Sequence, residues 1–188
     1  MNIKETINSA SFFGFSVAFL FSIGGLFYYL YFLKKENYYY LDNPTKNEIE
    51  VSVDNKKYLI KPETFEKIEL KKGKHAIKIQ HSTFSLDTFL FVNDVNGVIN
   101  PSLSDYYIYK KYYGYRKNKD SIIDALSKVK IDETYYRGAI VHCHDLTIEG
   151  FDYGLDESFP KIIQKDTLND RKKIYRKKDF VALYPNLE

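Results

Sequence analysis

Hydrophobic and polar positions divide the 188-residue chain into two regimes. Between Glu5 and Lys34 no residue is charged, and Phe12 to Phe32 reads FFGFSVAFLFSIGGLFYYLYF. At about 1.5 Å of helical rise per residue this run covers roughly 30 Å, the thickness of a bilayer's hydrocarbon layer. The pattern predicts a flank over 1–11 and a transmembrane anchor over 12–33. A cleaved signal peptide would carry a shorter apolar region, about 7–15 residues, ending in small side chains. Ser16-Val17-Ala18 has that small pattern, but Phe19 to Leu33 continue apolar, which favours an uncleaved anchor. Lipoprotein processing is excluded, because the single cysteine, Cys143, lies far downstream.

Tyr28, Tyr29, Tyr31 and then Tyr38, Tyr39 and Tyr40 crowd the far end of the run, where amphipathic rings prefer the headgroup layer, and Lys34 and Lys35 close it. Residues 34–43 therefore read as a Tyr-rich juxtamembrane linker. Ala10, Gly14, Ala18 and Ser22 recur every four residues and form a small-residue stripe against which a second helix could pack, so self-association through the anchor is one expectation. Lys4 and the terminal amine on one side, against Lys34 and Lys35 on the other, give a slight bias toward a cytoplasmic C-terminal domain. A lone N-terminal span ahead of a β-domain argues the other way, as a signal anchor, and the reading adopted is an extracytoplasmic domain.

Beyond Asn43-Pro44-Thr45 the period changes to two. Ile49, Val51 and Val53 alternate with Glu50, Ser52 and Asp54, so one face is buried and the other wet. Asp54-Asn55 suits a tight hairpin leading to Lys57–Ile60, and Pro62 interrupts. Ile68 and Leu70 share a face, Lys71-Lys72-Gly73-Lys74 turns, and His75, Ile77 and Ile79 line the next strand. Phe84 to Val92 reads as a more continuously apolar strand. Asn93–Gly97 reads as a loop, with Val98-Ile99-Asn100-Pro101 leading to another turn; further extended runs are predicted at 105–116, 139–148 and near Ile174 and Val181, with one helix over 120–129, where Ile122, Leu126 and Val129 share a face. Short strands at roughly ten-residue spacing are the mark of an antiparallel sandwich. The fold class is thus mainly β: an N-terminal transmembrane helix followed by an antiparallel β-sandwich-like domain, 44–188, with one short helix.

The passage Ile49–Asp54, Tyr58-Leu59-Ile60-Lys61-Pro62 and Ile68–Ile79, with its Gly73-Lys74-His75, resembles the PEGA-type β-sandwich modules of bacterial envelope proteins. In those modules a strand ends in Asp-Gly, a proline follows, and an aliphatic strand runs into Gly-x-His or Gly-x-Tyr. Here Asn55 stands in place of the usual glycine and the Pro-Glu-Gly-Ala core is absent. The resemblance, over about residues 49–79, implies a noncatalytic surface module of a bacterial envelope system.

Composition adds few chemical options. Lys and Arg number 28 against 25 Asp and Glu, a formal net charge of +3, and 18 Tyr and 14 Phe supply ample core material, which excludes global disorder. His142-Cys143-His144-Asp145 is the densest set of candidate metal ligands: in a strand His142 and His144 would share a face about 7 Å apart. No CxxC, HExxH or second pair completes a recognised site unless His75 or His81 joins it. Packing among Ile140, Leu146 and Ile148 is the competing explanation, so no cofactor or metal is assigned. Cys143 reads as a small buried hydrophobe without a base to activate it.

Asp145, Glu149, Asp152, Asp156 and Glu157 read as a solvated acidic loop, and Arg171–Lys173 with Arg176–Lys178 as a charged strand edge. The run Tyr109-Lys110-Lys111-Tyr112-Tyr113 mixes bases with aromatics. In a membrane-tethered chain it is a candidate surface for lipid or protein, with nucleic acid set aside, and its bland alternative is a Tyr-rich strand packed on the sandwich. The expected function is that of a single-pass, non-enzymatic β-domain protein in protein–protein interaction or envelope assembly. A membrane-tethered immunity or inhibitor protein is the alternative, and a metal-dependent enzyme using His142, His144 and Asp145 is the second.

Overall fold

A computed structural model describes residues 9–29, 38–81, 84–93, 95–113, 128–161 and 169–185, with side chains from Gly14 onward. The chain divides into two compact units, 1–36 and 37–188. The first holds helix α1, Ser9–Tyr28, whose sequence has no charged residue. Among the described residues no helix is long and apolar enough to cross a membrane. The predicted span runs on to Phe32, and 30–37, including Lys34 and Lys35, lie outside the described residues.

The second unit is mainly β. In chain order its strands are β1 Tyr39–Asp42, β2 Ile49–Val53, β3 Lys56–Ile60, β4 Phe65–Ile68, β5 Gly73–Gln80, β6 Ser85–Val92, β7 Gly97–Ile99, β8 Tyr106–Tyr113, β9 Lys128–Ile131, β10 Thr134–Arg137, β11 Ala139–Cys143, β12 Thr147–Glu149 and β13 Asn169–Arg176, followed by helix α2, Lys177–Leu183. They form sheets ordered β3-β2-β5-β6, β12-β7-β1-β4 and β11-β8-β13, plus the β10-β9 hairpin. Among the described strands the ladders are antiparallel except β1 with β7, which is parallel with Tyr39 opposite Gly97, and a single parallel bridge joins Tyr153 to Lys173 outside them. An all-antiparallel arrangement is thus corrected at one ladder: the chain first returns to β1 antiparallel at β4, and β7 then joins the other side of β1 in parallel after β5 and β6.

Alternation of side chains across each strand stacks these sheets in layers. Tyr39 and Leu41 of β1 and Ile99 of β7 pack with Val51, Ile77, Ile79 and Leu90 of the β3-β2-β5-β6 sheet. Their neighbours Tyr40 and Val98 point the opposite way, onto Tyr106, Ile108 and Ile174 of the β11-β8-β13 sheet. The far face of that sheet, through Tyr107, Ile140 and Tyr175, packs on Ile131, Tyr136 and Phe180 of the hairpin and α2. The sheet containing β1 is therefore internal, and all four β1 residues are fully buried. A strand covered on both faces cannot show period-two alternation. For that reason Tyr39–Asp42, expected within the linker 34–43, belongs instead to the centre of the domain.

Local chemistry accounts for the other boundaries. Asp54 and Asn55 both have positive φ, 47° and 69°, as a two-residue hairpin turn between β2 and β3 requires. The predicted strand over 139–148 is two strands, because the chain leaves the β8 sheet at Cys143 and joins β7 at Thr147. Asn100 ties this crossing: its N–H donates to the Leu146 carbonyl at 2.8 Å and its side-chain amide to the Asp145 carbonyl at 3.3 Å. Val181 lies in a helix rather than a strand. Phe180 and Tyr184, four apart, stack at 5.1 Å and share the buried face, a spacing that only a helix provides. Most of the predicted helix over 120–129 lies outside the described residues, but its end, Val129, pairs with Tyr136 in β9.

The buried charges join the layers. Arg176, 8% exposed at the end of β13, donates from Nε to Asp42 Oδ2 at 2.9 Å and from Nη2 to Asp42 Oδ1, while Nη1 reaches the Glu63 carbonyl at 2.9 Å. The Tyr106 hydroxyl donates to the same carboxylate. Removing one partner of a buried pair leaves an uncompensated charge, which typically costs about 3–5 kcal/mol. Asp42→Leu and Arg176→Met are each expected to destabilise by that order in urea unfolding. The double variant should lose clearly less than the sum, and strict additivity would show that the two groups are energetically independent.

Candidate functional site

A groove of about 660 Å³ lies against α2 and the end of β13. Its walls include Leu103, Asp105, Asp132, Arg176, Lys177 and Val181. β13 ends at Arg176 because the guanidinium turns inward to Asp42; the chain then reverses into α2, and Lys177 and Lys178 emerge at the rim. Neither is unpaired. Lys177 reaches Asp132 at 2.5 Å and Lys178 reaches Glu63 at 2.6 Å. The bond from Lys178 holds the exposed Glu63 carboxyl below the usual range, and the bond to Asp132 raises the Lys177 ammonium. Three residues at or beside the groove, Glu63, Leu103 and Asp132, have left-handed backbones with φ of 58°, 50° and 52°. Such strain in a non-glycine residue persists only where surrounding bonds impose it.

His142 borders this region. Its Nε2 lies 2.8 Å from Asp105 Oδ1 and its ring stacks on Tyr107 at 5.1 Å. His142, His144 and Asp145 are exposed rather than packed among Ile140 and Ile148. His75 lies on β5, which pairs with β2 and β6, whereas β11 pairs with β8, so the strand pairing that could join these histidines is not formed. Among the described residues no group of three or more His, Cys, Asp and Glu side chains is placed to hold a metal ion. Cys143 is half-buried beside the Tyr40–Tyr106 cluster, where burial and then the charge of Asp145 push its thiol pKa up, away from a reactive thiolate.

The Tyr109–Tyr113 run proves to be the middle strand of its sheet. Tyr109 packs by its ring against Phe159, Phe180 and Tyr184, Tyr113 is 7% exposed, and Lys110 pairs with Asp170 at 2.9 Å. Of the five, Tyr113 is buried, Tyr109, Lys110 and Tyr112 are half-buried and Lys111 is exposed, so the run is a half-buried strand with a wet edge. Of the small-residue stripe, Ala10 has no described side chain, a Cβ on Gly14 would meet nothing within 4 Å, and Ala18 and Ser22 are exposed, with the Ser22 hydroxyl returned to the Ala18 carbonyl.

The acidic stretch also turns inward. Glu149 accepts from the Tyr39 hydroxyl and from the Asn93 amide, Asp152 from the Lys172 N–H at 2.8 Å, and Glu157 from the Gly154 N–H at 2.6 Å. Asp156 accepts from Tyr40 and pairs with Lys67 at 2.9 Å. Burial opposes ionisation of Asp156, but those two partners outweigh it and hold its carboxyl below the usual range. On the basic side, Lys173 is 6% exposed, donates to the Gly154 carbonyl and lies over the Tyr175 ring at 4.6 Å; burial lowers its pKa. Asp145, Asp152 and Asp156 stay exposed, as expected of a solvated loop, while Lys173 is buried and hydrogen bonds tie the acidic loop to the basic strand as a seam. The tight approach of Tyr40 to residue 154 was invisible in sequence, although a lone Gly154 in an acidic loop was its one visible trace.

No protein-family model, curated protein or solved structure matches this chain.

Two outcomes test the seam and the turn near His75. A Cβ at position 154 would lie 2.0 Å from the Tyr40 hydroxyl. Gly154→Ala should therefore destabilise by about 1–3 kcal/mol in thermal unfolding, as overpacking does. His75 Nδ1 faces Asp54 at 2.5 Å and Nε2 faces the Lys71 carbonyl at 2.6 Å, so both nitrogens meet acceptors and the imidazolium is favoured. Burial would lower this histidine's pKa, but the Asp54 bond and the Lys71 carbonyl outweigh it and the net shift is upward. Its contribution is fully present below the unfolded pKa of about 6.5 and is lost as pH rises through the higher folded value. Melting temperature should fall across that window, and His75→Gln should flatten the fall.

Proposed function

We propose that this chain is a single-pass membrane-anchored, non-enzymatic β-domain protein whose folded unit serves protein–protein interaction. The observation that carries the anchor is α1 itself. Phe15, Phe19, Leu20, Phe21, Leu26 and Phe27 are each more than half exposed, and their positions run round the whole helix rather than along one stripe. A helix apolar on all sides needs an apolar surrounding, either a protein core or lipid. The uncharged run through Phe32 supplies the remaining length for a span. An extracytoplasmic domain and the likeness of residues 49–79 to envelope β-modules belong to the same reading.

A binding rather than a catalytic role is favoured by the groove at α2. Its cations are engaged by internal carboxylates, and the half-buried thiol nearby is held in its inert form. The strained Leu103 and, across the groove, Val181 offer apolar contact beside paired charges, a composition suited to a polypeptide surface.

Two measurements test this reading. The full-length protein should remain with membranes through an alkaline carbonate wash and be released only by detergent; release by carbonate alone would overturn the anchor. A photo-crosslinking residue at Leu103 or Val181 should give a discrete adduct in the native host that is missing when the probe sits at Lys57, on the opposite outer sheet. Equal labelling at the two places, or none at the groove, would overturn the interaction role.

A further inference from the structure

Two exposed phenylalanine rings lie together on β6. Phe91 is 71% exposed and Phe89 55%, on the outer face of the β3-β2-β5-β6 sheet, because β6 is an edge strand whose inward positions, Leu90 and Val92, are the buried ones. The antiparallel register places Lys74 opposite Phe91, and its ammonium sits 3.7 Å over the Phe89 ring. Lys71 and Lys72 are exposed on the turn leading into β5, and Val95, 42% exposed, follows β6. Against these three lysines the same turn carries one exposed acid, Glu69, while Asp54 and Glu149 are already bonded to His75 and Asn93.

The topology puts this rim where the chain joins the domain. The Tyr38 N–H donates to the Asn96 side-chain oxygen at 3.1 Å, and its carbonyl accepts from the Gly97 N–H at 3.2 Å. Tyr39 pairs with Ile68, three residues before Lys71. So the end of the domain that continues into residues 30–37 and α1 is the end that carries Lys71, Lys72, Phe91 and Val95. Eight linking residues, 30–37, reach at most roughly 30 Å when extended, so an anchored chain keeps this rim within reach of the bilayer.

From this we infer that Lys71, Lys72, Lys74, Phe89, Phe91 and Val95 form a docking rim for an anionic lipid surface. Ammonium groups are drawn to anionic headgroups, and exposed aromatic rings are stabilised at the boundary between headgroups and acyl chains. The inference rests on the anchor reading for its orientation. The rim would hold the domain down on the bilayer, leaving the α2 groove to the partner.

The chain has no tryptophan, so a single indole reports on one position. Full-length Phe91→Trp protein, reconstituted in vesicles of phosphatidylcholine and phosphatidylglycerol with brominated acyl chains, should show blue-shifted and quenched emission. Quenching should be lost in pure phosphatidylcholine and on adding Lys71→Gln, Lys72→Gln and Lys74→Gln. Leu59→Trp, on the other edge strand of the same sheet and 57% exposed, should stay unquenched. Unquenched Phe91→Trp in the anionic vesicles, or equal quenching at Leu59→Trp, overturns the rim. Phe19→Trp in α1 separates the two readings. If it is quenched while Phe91→Trp is not, the anchor stands and the rim falls; if only Phe91→Trp is quenched, the rim stands as a peripheral contact and the anchor falls.

Discussion

One carboxylate gathers the domain. Asp42 ends the central strand, is fully buried, and receives both the Arg176 guanidinium and the Tyr106 hydroxyl. A buried charge of this kind is tolerated only when its oxygens are satisfied by well-aligned donors. That requirement fixes β1 against β8 and β13 at a single register. The same guanidinium reaches the Glu63 carbonyl, so it also sets where β13 stops and α2 begins. The groove beside α2 is a consequence of how this one ion pair is housed. The bond closes over 134 residues of chain, so the loop-closure entropy must be met before it stabilises the fold.

Around it the core is built to an unusual degree from tyrosine. Tyr39, Tyr40 and Tyr106 are fully buried, yet their hydroxyls end on Glu149, Asp156 and Asp42. Rings with polar tips suit thin stacked layers: the apolar body fills the space between sheets and the hydroxyl reaches a layer's border. Burial, followed by the adjacent carboxylate, raises the pKa of both Tyr39 and Tyr40, so these phenols stay protonated donors. The acidic loop is thereby drawn onto the domain as its fastening, and Lys67 completes the seam over the rings of Tyr38 and Tyr40.

Much of the β3-β2-β5-β6 sheet was legible in sequence, because one of its faces meets solvent and its strands alternate. Ile49, Val51 and Val53, the Asp54-Asn55 turn, and Ile77 with Ile79 all lie where their period places them. The internal sheet was not legible. Its strands are three or four residues long and its central pair, β1 and β7, is covered on both faces, so Tyr39–Asp42 resembled the aromatic belt of a membrane anchor and Val98-Ile99 a loop's end. At the candidate site, the exposure of His142 and the burial of Arg176 and Lys173 depend on partners far away in sequence, Asp105, Asp42 and Gly154. Residue type alone assigned each of them to the opposite surrounding. Phe89 and Phe91 show the converse: an apolar run read as buried holds two outward rings, because only alternate positions of an edge strand face the core.

The central position of β1 has a mechanical meaning. β1 is the first strand after residues 30–37, and it is held along its length by β4 on one side and β7 on the other. A pull transmitted from the N-terminal segment through Tyr38 would load both ladders in shear, so that their hydrogen bonds resist together. Had the chain joined the domain at an edge strand, the same pull could peel one bond at a time. The domain's first strand is thus among those least able to unravel from it.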